Sequence, residues 1–79
     1  MSFRLQFASD VQRDGLGLEL LNEQGEVVAE VFRRDATNSL EVSLFQIDLP
    51  FVQVERLLRL AREELGPFED GTPLPSALA

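Results

Sequence analysis

Residues 40–65 read LEVSLFQIDLPFVQVERLLRLAREEL, and a change of period inside this segment decides the fold. Leu40, Val42 and Leu44 alternate with Glu41 and Ser43, the spacing of a strand with one buried face. From Pro50 the period lengthens. Phe51, Val54, Leu57, Leu58, Ala61 and Leu65 fall within an arc of roughly 120° at ~100° per residue. Glu55, Arg56, Arg59, Arg62 and Glu63 lie opposite. The spacing predicts a helix over 50–65. Pro50 suits the first turn, Asp48 is placed to help the exposed amides, and Gly66-Pro67 supplies a left-handed cap and a stop. Glu55 to Arg59 is the favourable i,i+4 order, worth only ~0.3–0.5 kcal/mol.

Upstream the short period recurs three times. Phe3, Leu5 and Phe7 alternate with Arg4 and Gln6; Leu16, Leu18 and Leu20 form a second set, and Val27, Ala29 and Val31 a third. Polar segments at 9–15, 22–26 and 35–39 separate these sets, the first ending in the turn signal Asp14-Gly15. The expectation is an α+β fold: a four-stranded antiparallel meander sheet with one C-terminal α-helix packed on one face (ββββα). Residues 1–68 are expected to form a single domain, with 69–79, carrying Gly71, Pro73 and Pro75, as a flexible C-terminal tail.

The strand register follows from the loops. With Gln24-Gly25 at the centre of the second turn, Leu20 opposes Ala29 and Leu18 opposes Val31 on the core face. On the other face Leu21 opposes Val28, Glu19 opposes Glu30, and Gly17 opposes Phe32. A four-residue loop over 35–38 places Val31 opposite Val42 and Val28 opposite Phe45. Leu21, Val28 and Phe45 then make one row on the face away from the helix, with Phe32 nearby. The expected core is Leu5, Phe7, Leu18, Leu20, Ala29, Val31, Val42, Leu44, Val54, Leu58, Ala61 and Leu65.

Composition removes most chemistry. The 79 residues include no His, Cys, Trp or Tyr, and all seven basic residues are Arg. The usual general base, the best nucleophile and the principal zinc ligands are therefore missing. No enzyme activity, cofactor or metal is expected. The net charge of −7 disfavours nucleic acid and anionic membranes and favours solubility or a basic protein partner. Glu19, Glu23, Glu26 and Glu30 concentrate negative charge in the second hairpin. No apolar run reaches the ~18 residues of a membrane span, and residues 1–10 lack the apolar centre of a secretion signal. The lack of Cys suits the cytoplasm, and the Arg-only basic set suggests a GC-rich bacterial genome.

Five groups of residues bear on possible chemistry. Leu21, Val28, Phe32 and Phe45 form a candidate self-association interface, since contiguous exposed apolar patches are uncommon on monomers. Their competing explanation is Phe32 covering Gly17, with Leu74 and Leu78 of the tail folding over the face. The opposed Glu19 and Glu30 are unfavourable as bare like charges, so a partner's basic groups, or Arg4 or Arg33 of the same chain, are expected beside them. Asp10, Gln12, Asp14 and Gly15 resemble the opening of a calcium loop, but the twelfth position is Leu21 and not the required Glu. Ser9-Asp10-Val11-Gln12 fits a capping box with no helix after it, so a single turn or plain loop is expected there. The Arg residues of the helix alternate with Glu55 and Glu63, a salt-laced solvated surface.

The sequence therefore points to a small acidic, non-catalytic protein-interaction module that forms a homodimer through the uncovered sheet face. The alternative is an acidic inhibitor or immunity-type protein masking the basic site of a nuclease or toxin.

Overall fold

In the computed structural model, residues 2–37 and 39–66 are described. The tail at 69–79, with Leu74 and Leu78, and Phe68 lie outside the described residues. Four strands form one antiparallel sheet in the order β1-β2-β3-β4: β1 (Arg4–Asp10), β2 (Gly15–Leu21), β3 (Val27–Arg34) and β4 (Ser39–Leu44). One helix, α1 (Phe51–Glu64), follows and packs on β2 and β3. This is the expected ββββα meander. No helix among the described residues is long and apolar enough to cross a membrane.

The register agrees with the hydrophobic pattern over most of the sheet. Leu18 pairs with Val31, Leu20 with Ala29, Glu19 with Glu30, Gly17 with Phe32, and Val31 with Val42. The Phe45 amide donates to the Val28 carbonyl at 2.9 Å. One position departs. The β2–β3 turn is a three-residue loop closed by Asn22, whose amide donates to the Glu26 carbonyl. The Asn22 side-chain oxygen also accepts from the Gln24 and Glu26 amides, each at 3.0 Å, and Gly25 takes φ +80°. That loop sets Leu21 opposite Val27, not Val28 as the two-residue turn implied. The ladder shifts between Leu20 and Leu21, leaving Val28 as an extra residue. A bulge re-aims side chains, and Val28 joins the buried core with Leu18, Leu20 and Ala29.

The helix starts after Pro50, whose carbonyl accepts from the Gln53 and Val54 amides. Asp48 does not cap it: there is no side-chain cap, and Asp48 occupies a left-handed turn position at φ +58°. At the other end Gly66 takes φ +116°, as its sequence position demands, and the Arg33 guanidinium donates to the Leu65 carbonyl at 3.4 Å. A cation there complements the negative end of the helix dipole.

The core is shifted across the helix from the expected arc. Leu57 is 0% exposed, with Ala61 and Leu65 buried beside it, and all three pack on Leu18, Leu20, Ala29 and Val31. Leu58, expected in the core, is 44% exposed. Val42, Leu44 and Phe7 are likewise about half exposed, because the helix sits over the two central strands and leaves the edges uncovered. Leu5 is partly buried against the core and Val54 is half-buried.

Candidate functional site

On the face away from the helix, the sheet around Phe32 is covered by a side chain of the β1–β2 turn. Residues 11–14 make one turn, with Asp14 at φ +56°. Asp10 organises it: one carboxylate oxygen accepts from the Arg13 amide at 3.0 Å, the other from Arg13 Nε at 2.6 Å. Arg13 is thereby aimed over the sheet. Its two terminal nitrogens donate to the two oxygens of Glu30 at 3.2 and 3.0 Å, and its guanidinium lies 3.9 Å from the Phe32 ring centre. Donating to the carboxylates of Glu30 and Asp10 raises the Arg13 pKa, and accepting from Arg13 lowers that of Asp10.

Glu30 is consequently buried yet satisfied. Its neighbour Glu19 accepts from the Gln6 amide group at 2.7 Å. The like-charge pair is neutralised within the chain, by Arg13 and not by Arg4 or Arg33. Phe32 lies flat over Gly15 and Gly17: a Cβ on Gly17 would meet Phe32 at 3.4 Å, and one on Gly15 would meet it at 2.7 Å. The ring covers the glycines, and Arg13 covers the ring.

Of the four residues expected in an outer apolar patch, three are not at the surface: Phe32 lies under Arg13, Val28 is part of the core, and Leu21 is buried as well. Leu21, Val28 and Phe32 are 3%, 4% and 2% exposed, and only Phe45 is open. The hairpin acids are also dispersed. Glu23 and Glu26 are exposed at the turn, Glu19 is half-buried, and Glu30 is buried. Glu26 is tied to Asn22 at 2.8 Å. Among the described residues no three acidic side chains converge to hold a metal ion.

The open apolar surface lies on the helix side, along β4. Val42, Leu40, Phe51, Val54 and Leu58 line a channel of about 500 Å³ between the edge strand and the helix, with Glu55, Arg59 and Arg62 at its mouth. Val54 also lines an adjoining hollow with Leu44, Phe45 and Ile47. The surface is thus continuous from Leu58 to Ile47. Phe51 is 78% and Ile47 84% exposed.

Two sequence signals bear on these features. Gly15 and Gly17 opposite a lone Phe point to an aromatic lying over the strand. Leu57 and Leu58, adjacent in one amphipathic arc wider than the buried seam, leave one Leu over for another surface. The residues missed were Arg13, which no periodicity places, Leu58, which was expected in the core, and Phe51, which the apolar arc of the helix includes.

No family model matches this chain, and no curated protein or solved structure matches it either.

Proposed function

We propose that this protein is a non-catalytic protein-interaction module that docks its partner in the channel between β4 and α1. The observation that carries the reading is the run of large apolar side chains from Leu58 through Phe51 to Ile47, left open on an otherwise acidic molecule. Contiguous apolar surface beyond a few hundred Å² marks interaction sites. The only titratable groups are carboxylates and guanidiniums. The channel mouth carries Glu55 and Arg59, paired with each other at 3.6 Å, and among the described residues no hydroxyl side chain lines the channel. The reading includes a bacterial, cytoplasmic setting, supported by the Arg-only basic set and the lack of Cys. Masking of a basic site by the acidic hairpin has less support, because Glu30 is already committed to Arg13.

Selection of a random peptide library on the immobilised protein tests the reading. The expected binders are apolar peptides whose affinity falls at least tenfold on Leu58→Glu and is unchanged on Glu23→Gln. Binders indifferent to Leu58→Glu would overturn it.

A further inference from the structure

Resting on that reading of the channel, we infer that its occupant is a second copy of this chain, joined edge to edge through β4 into a continuous eight-stranded sheet. Three observations lead there. The first is the state of the edge. β4 contains one charged residue, Glu41, which is engaged by Arg34 at 2.8 Å, and it has no proline, lysine or bulge among its described residues. Natural edge strands are normally blunted by such features. Edge strand β1, by contrast, starts at Arg4 and ends at Asp10.

The second is the direction of the backbone. The Phe45 amide points to β3, where it meets the Val28 carbonyl. Antiparallel ladders alternate. Residues 41, 43 and 45 therefore address β3, and the amides and carbonyls of Leu40, Val42 and Leu44 point outward. A two-fold axis at Val42 matches these groups to themselves: Val42 opposite the partner's Val42, and Leu40 opposite the partner's Leu44. Both helices then lie on one side of the joined sheet. Phe51 and Leu58 of each copy then face one another across the seam, and the two channels join into one apolar trough floored by Leu40, Val42 and Leu44.

The third is area. Val42, Leu44, Phe45, Ile47, Phe51 and Leu58 are between 44% and 84% exposed. Their open surface is roughly 600 Å² if large apolar side chains present ~150–200 Å² each. That approaches the ~800 Å² per partner of an ordinary specific interface. A closed two-fold contact is the commonest arrangement for a self-complementary surface.

Sedimentation from nanomolar to high micromolar concentration, combined with cross-linking, tests the inference. The chain has no Cys, so Val42→Cys introduces a single thiol at the proposed axis. The expected result is a reversible dimer whose dissociation constant rises at least tenfold in Leu58→Glu, with Val42→Cys forming a disulfide dimer under mild oxidation. Leu58 is 44% exposed, so the Glu variant is expected to keep the circular dichroism of the parent. A parent that stays monomeric throughout would overturn the inference. So would a dimer that ignores Leu58→Glu and does not cross-link through Val42→Cys. A monomer that still binds apolar peptides in a Leu58-dependent way would sink self-association alone and leave the interaction-module reading standing.

Discussion

Arg13 links three features of the face away from the helix: it neutralises Glu30, shields the Phe32 ring and locks the β1–β2 turn through Asp10. Removing it leaves a buried carboxylate without its cation, the costly half of a broken ion pair. Arg13→Ala should lower the urea midpoint far more than Arg59→Ala, whose partner Glu55 is solvated; equal midpoints would contradict this assignment. Gly15 is the complementary test. A Cβ there would collide with the Arg33 carbonyl and press on the Phe32 ring. Gly15→Ala should therefore cost about 1–3 kcal/mol in denaturation, whereas Ser9→Ala should cost little. Acid should also weaken the molecule. Hydrogen bonds from Arg13 lower the Asp10 pKa, and those from Arg34 lower that of Glu41. A carboxyl held below its unfolded value stabilises above the ordinary range of about 4, and that contribution is lost as pH falls through the folded value. Arg34→Ala should flatten the Glu41 part of the decline in melting temperature below pH 4.

At the scale of elements, the position of α1 decides which Leu holds the fold together. Leu57 fills the seam above β2 and β3, and Leu58 faces the uncovered β4. Leu57→Ala should cost ~2–5 kcal/mol, enough to threaten a small domain. Leu58→Ala should cost about 1 kcal/mol, since much of that side chain is already in water. Denaturant midpoints of the two variants in dilute solution check the order. The strands, their meander order and most pairings were legible because period-two patterning and short loops constrain each other. The bulge was not legible: Gln24-Gly25 serves a two-residue turn or a three-residue loop with equal ease, and only the Asn22 side-chain bonds choose. Nor was the helix placement, because an amphipathic arc states which face is apolar and not which strands lie beneath it. Arg13 was hidden for a related reason, its reach being set by a turn whose shape depends on Asp10 and on Asp14 in a left-handed conformation.

For the whole molecule, charge and apolar surface act against each other. Each copy carries −7, so two copies repel at long range while the channel draws them together at contact. Salt screens the first and not the second. A dimer joined through β4 should tighten as ionic strength rises, and a complex held by the acidic hairpin on a basic protein would loosen; light scattering over a salt series separates them. The central claim is that the β4–α1 channel, and not the row of Leu21 and Val28, is the contact surface. Methyl resonances recorded across a dilution series test it most directly. The account expects the methyls of Val42, Leu44, Val54 and Leu58 to move with concentration while those of Leu21 and Val28 stay fixed. Shifts confined to Leu21 and Val28, with the channel methyls unmoved, would contradict it.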